Sequence, residues 1–101
     1  MADDAGQLVR AVDRLADHVG HWTASRWTAE RAQAVHALAQ RLADLEARVT
    51  GRAPRPVPRL SNDLALPDQV RVTALDLVAA SPPPDVLQTA LDAVAETRRL
   101  L

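Results

Sequence analysis

Apolar residues recur at helical spacing from the start of the chain. Leu8, Val12, Leu15, Val19 and Trp22 are separated by 4, 3, 4 and 3 residues, which gathers them on one stripe of an α-helix. Asp3 or Asp4 stands where a carboxylate caps a helix start and meets the positive end of its dipole. A second stripe, Val35, Leu38, Leu42, Leu45 and Val49, has spacings of 3, 4, 3 and 4. Gly51 follows it, at the position that closes a helix in left-handed conformation. Arg41, Asp44 and Arg48 line its polar side as i,i+3 and i,i+4 pairs.

The two stripes are out of phase. Thirteen residues separate Trp22 from Val35, one short of two heptads, and Gly20, Thr23, Ser25 and Thr28 between them are poor helix formers. Either the chain turns back near 23–28 as an antiparallel hairpin, or one helix of about 70 Å carries a stammer. Thr28, followed by Glu30, has the signature of an N-cap, and its coincidence with the phase break favours the hairpin. Trp-Thr-Ala occurs twice here, at 22–24 and 27–29. Trp22 continues the first stripe and belongs to the core. Trp27 precedes the cap, where it either staples the helix start against Ala32 or stands out as an interface anchor.

Residues 51–59 read Gly-Arg-Ala-Pro-Arg-Pro-Val-Pro-Arg. Three alternating prolines forbid a helix and hold their predecessors extended, so a stiff polyproline-like connector is expected. Beyond it Pro67 suits the first turn of a third helix, whose Val70, Val72, Ala74, Leu75, Leu77 and Val78 cover it so widely that it should be the most buried element of its half. Leu60, Leu64 and Leu66 ahead of it are expected to pack against either half. Ser81, before Pro82, Pro83 and Pro84, is expected to cap a fourth helix that buries Leu87, Ala90, Leu91, Val94 and Leu101. The pattern therefore predicts an all-α protein: a helical hairpin over 1–51, a Pro/Arg connector over 52–60 and a shorter helical pair over 61–101, together a small four-helix bundle.

Composition strengthens that reading. Of 101 residues, 20 are Ala, 14 Leu and 11 Val, with no Ile, Phe or Tyr to favour strands. All 12 basic residues are Arg, which, with the Ala content, points to a high-GC bacterial genome. The absence of Cys excludes disulfides, thiol nucleophiles and thiolate metal sites. No run approaches the ~18 apolar residues of a membrane span. The charged residues within 1–20 do not read as a signal peptide, and a cytoplasmic setting is expected.

Candidate chemistry is thin. Ser25, Ser61 and Ser81 stand at caps and turns, and the three Gly are isolated, so neither a nucleophile nor a phosphate loop is offered. His18, His21 and His36 form an incomplete metal-ligand set. No cofactor is expected. The overall charge of −1 argues against broad nucleic-acid affinity, but it is unevenly spread: −1 over residues 1–50, +3 over 51–60 and −3 over 61–101. The third and fourth helices mimic a helix-turn-helix, yet the fourth opens on Asp85 and carries Arg98 and Arg99 at the wrong end for base reading.

The expectation is a non-enzymatic protein–protein interaction or oligomerisation module, an accessory or regulatory subunit whose partner is another protein or a second copy. Trp27, Val35, Leu38, Leu42, Leu45 and Val49 are the expected interface, because a 3–4 spacing suits knobs-into-holes packing. The alternative is a nucleic-acid-linked regulator that contacts phosphate through Arg52, Arg55 and Arg59.

Overall fold

Thr28 decides where the chain turns. In the computed structural model, which describes residues 4–101, its backbone is extended (φ −70°, ψ 159°) and its hydroxyl accepts the Arg31 N–H at 3.2 Å. Helix α1 (Asp4–Gly20) ends before this point and α2 (Ala29–Thr50) begins after it. Asp4 lies in the first turn of α1; the cap expected at Asp3 falls outside the described residues. A short 3₁₀ turn, Ala24–Arg26, lies between the helices, with Thr23 extended in front of it (φ −73°, ψ 163°). The repeated Trp-Thr-Ala thus marks two successive helix starts. A continuous rod over 4–50 would measure about 70 Å, whereas the longest axis of the molecule is 40 Å. The chain turns between α1 and α2 instead of running on as one rod.

At its other end α2 closes on Gly51, which is left-handed (φ 74°). The Arg52 N–H reaches the Ala47 carbonyl at 2.8 Å and the Gly51 N–H that of Arg48 at 3.4 Å, the paired bonds that satisfy the last carbonyls of a helix.

Helix α3 (Leu66–Ala79) grows out of a second 3₁₀ turn, Asp63–Ala65, and carries Pro67 in its first turn. Helix α4 spans Pro84–Arg99. Ser81 is not its cap. Pro83 and Pro84 push Pro82 and Pro83 out of right-handed helical geometry, so the helix starts only at Pro84, and Ser81 takes φ 52°, the one non-Gly residue with positive φ among the described residues. It ends α3, while Pro83 becomes the N-cap of α4, its carbonyl accepting from Val86 at 3.1 Å and Leu87 at 3.2 Å.

No strand is present among the described residues, and the four helices pack as one small bundle. The order of packing is its distinctive property. Helix α3 lies against both α2 and α1, and α4 lies against both α1 and α2. Neither α1 with α2 nor α3 with α4 forms a comparably close pair. Helices α1 and α2 are therefore diagonal in space, as are α3 and α4, and one continuous core takes side chains from all four. Leu8, Leu15, Leu38, Leu42, Leu66 and Leu77 are its largest fully buried members. Buried Ala32, Ala39, Ala74, Ala90 and Ala93 lie among them and let helix axes approach closely. Exposed ion pairs tie packed neighbours together: Arg71 of α3 reaches Asp17 at 2.8 Å and Asp13 at 3.5 Å on α1, and Arg41 of α2 reaches Glu96 of α4 at 3.2 Å. Arg41 thus turns to α4 rather than to Asp44 on its own helix.

Candidate functional site

The residues expected to form an interface are used by the chain itself. Val35, Leu38, Leu42, Leu45 and Trp27 are buried in the common core, and Val49 packs half-buried against it. The physical reason is the packing order: the second stripe faces α3 and α4, which cover it. Trp27 is not an exposed anchor. It is 6% exposed and meets Trp22 edge to face at 5.0 Å between ring centroids. The Trp22 ring also carries the guanidinium groups of Arg26 and Arg31, at 5.2 and 5.3 Å, and touches His18 at 5.8 Å. This cluster closes the turn between α1 and α2.

Among the described residues no three His, Asp or Glu side chains gather as a metal site. His36 has another task. Its Nε2 donates to the Val57 carbonyl at 2.9 Å. One turn further along α2, Gln40 donates to the Arg55 carbonyl at 3.0 Å and accepts the Val57 N–H at 2.7 Å. From α3, Gln69 donates to the Pro58 carbonyl at 2.8 Å. These three side chains lash the connector to two helices through its backbone, which the prolines leave without hydrogen bonds of its own.

Gln40 was not singled out by the sequence; its i,i+4 relation to His36, on the border between the buried and exposed sides of α2, is the only signal that marks it. Replacing Gln40 with Ala removes both partners of the Arg55–Val57 backbone. The expected result is a loss of about 1–2 kcal/mol and faster hydrogen exchange at the Val57 amide, read by NMR.

The connector arginines are mostly spoken for. Arg52 pairs with Glu46 and donates to the Thr50 hydroxyl at 3.1 Å. Arg59 pairs with Asp63 at 2.8 Å. Arg55 has no ion-pair partner among the described residues. The three guanidinium groups do not converge as one anion site.

Apart from Leu100 at the end of α4, the exposed large apolar side chains lie on α3 and in the segment that leads into it. Leu66 is buried, but Leu60 and Leu64 are exposed rather than packed against either half. Val72 and Leu75, expected in the most buried helix, are each 56% exposed. Two faces of α3 are apolar, and the bundle has room for one: Val70, Ala74 and Leu77 go inward, so Val72 and Leu75 go outward. The excess of apolar positions around α3 was the available signal, and it marked exposure rather than depth. An apolar groove of about 460 Å³ runs between this face and the connector, walled by Pro56, Val57, Pro58, Leu60 and Val72. A smaller hollow of about 190 Å³ lies between α1 and α3, with Val9, Asp13, Arg71 and Leu75 around it. Asp68 stands in the middle of the exposed face, its side chain 83% exposed and 3.9 Å from Arg71.

No helix among the described residues is long and apolar enough to cross a membrane. Compared with known protein families, with curated proteins and with solved structures, the chain matches none.

Proposed function

We propose that this protein works by contact, as a non-enzymatic interaction module that serves as an accessory or regulatory subunit in the cytoplasm. The contact surface is the outer face of α3 with the groove beside the connector, not the stripe on α2. The observation that carries this reading is the exposure of Val72 and Leu75 on a helix whose other face is fully buried, continuous with a groove that Leu60 also lines. A contiguous apolar patch on a small folded chain marks a binding surface more often than chance exposure does. The rival reading, phosphate contact through Arg52, Arg55 and Arg59, has one uncommitted guanidinium to rest on.

The test is a photo-crosslinking side chain placed at position 72 in the native host, with a second at the exposed position Gln88 on α4 as control. Discrete adducts at 72, absent at 88 and lost when Leu75 is replaced by Glu, are expected. The Leu75→Glu protein should keep its Tm to within a few degrees, since substitutions at exposed positions cost about 0.5 kcal/mol or less. Identical adduct patterns from both positions would overturn the surface assignment.

A further inference from the structure

The exposed face of α3 has a charge pattern that selects its occupant. Leu64, Asp68, Val72, Leu75 and Ala79 follow one another at spacings of 4, 4, 3 and 4, along one side of a helix. The 3₁₀ turn Asp63–Ala65 leads directly into α3, with Leu66 already right-handed helical (φ −58°, ψ −43°). The row is an apolar seam interrupted once, by Asp68.

That interruption bears on a second copy of the chain. Were two copies to lay this seam together in parallel, Asp68 would meet its own counterpart inside the contact. In the antiparallel arrangement, two-fold symmetry sets like flank against like flank, so each charged flank faces its own kind. In the first case a desolvated carboxylate faces its twin, and in either case a face with a surplus of carboxylates meets the same surplus, which opposes association.

The surroundings have the same sign. Asp13, Asp17, Asp63, Asp68 and Asp76 lie on or beside this face against Arg55, Arg59 and Arg71, five carboxylates to three guanidinium groups. Arg59 is occupied by Asp63 and Arg71 by Asp17 and Asp13, so neither neutralises Asp68 fully. Arg71 approaches Asp68 no closer than 3.9 Å.

We propose that the outer face of α3 receives an amphipathic helix of a different protein, with an apolar stripe that one Arg or Lys interrupts and further basic residues beside it. The inference rests on the reading of this face as a contact surface. Apolar side chains of the incoming helix fill the groove walled by Pro56, Pro58 and Val72 and the hollow beside Leu75. Its cations meet Asp68 and Asp76, which supplies orientation and a faster encounter.

Selection on the full-length protein from a displayed library of helical 20-residue peptides, randomised at apolar and charged positions, tests this. Enrichment of Leu- or Val-striped helices rich in Arg and Lys is expected. Their affinity should fall at least tenfold with Asp68→Lys, fall as far with Val72→Glu, and weaken with added salt. Both variants alter exposed positions, and an unchanged far-ultraviolet dichroism spectrum confirms that each is folded. Enrichment of acidic or uncharged helices that still depend on Val72 would overturn the basic partner and leave the contact surface standing. Binders indifferent to Val72→Glu, or no binders at all, would overturn both. Concentration-dependent dimerisation abolished by Val72→Glu would overturn the argument against a second copy.

Discussion

Leu42→Asp is expected to leave most of the protein unfolded. Leu42 is completely buried at the centre of α2, within the core shared by all four helices. Truncating such a leucine costs about 2–5 kcal/mol in lost burial and cavity formation. Inserting a carboxyl group with no partner adds several more or forces its protonation. The total is of the order of the whole stability of a small domain, about 5–15 kcal/mol. Far-ultraviolet dichroism and a thermal melt read the outcome. The same substitution at Val72, on the outer face, is the control: the charge stays in water and the expected loss is about 1 kcal/mol or less. A Leu42→Asp protein that kept its helicity and melted like the parent would mean that the α2 stripe is not core.

The second large effect concerns the chain cut at the connector. A fragment of residues 1–51 and one of residues 52–101 are each expected to lose most of their helical signal, and an equimolar mixture to regain it. The close helix pairs are α1 with α3, α1 with α4, α2 with α3 and α2 with α4, and each of them crosses the cut. A fragment keeps its helices but loses the surfaces that bury their stripes, and isolated helices of fewer than about 12–15 residues are marginal in water, longer ones little better without packing. The connector reinforces the expectation, since its backbone is bound both by His36 and Gln40 of α2 and by Gln69 of α3. Titration of one fragment with the other, followed by dichroism, should show saturable recovery at one-to-one ratio. Full helicity and a cooperative melt of residues 1–51 alone would contradict the packing order.

Both results bear on how far the sequence can be read. Local physics wrote itself plainly. The spacing of Leu8, Val12, Leu15 and Val19 gives a helix because the 3.6-residue period leaves few other ways to bury them together. Thr28 and Gly51 mark the ends of α2, since a side-chain oxygen that accepts an orphan N–H and a residue tolerant of positive φ are local requirements. Ser81 shows where local reading went astray. A serine before prolines looks like a cap, but a Ser81 cap needs Pro82 and Pro83 in helical geometry, and the proline that follows each of them disfavours it, so the helix starts at Pro84.

The candidate site was far less legible. Val35, Leu38 and Leu42 form as regular a stripe as any interface would, and periodicity records only that a face is apolar. It does not say whether the covering surface belongs to the same chain. Val72 and Leu75 were masked by the same ambiguity in reverse, counted as deep because their helix is apolar nearly all round. Gln40 and His36 became clamps only because the connector folds back within reach of them, a contact across 15 to 21 residues that no local pattern encodes.

The sequence alone determined that this chain is helical, where α2 starts and stops, and that prolines keep residues 52–60 out of any helix. Tertiary structure decided that α1 lies diagonal to α2 and α3 to α4, that the α2 stripe is consumed by α3 and α4, and that the apolar surplus of α3 faces water. The physical reason is range. Hydrogen-bond capping, proline geometry and helical period act over a few residues, whereas which apolar face meets which is settled by total burial over the whole chain, and burial is non-directional.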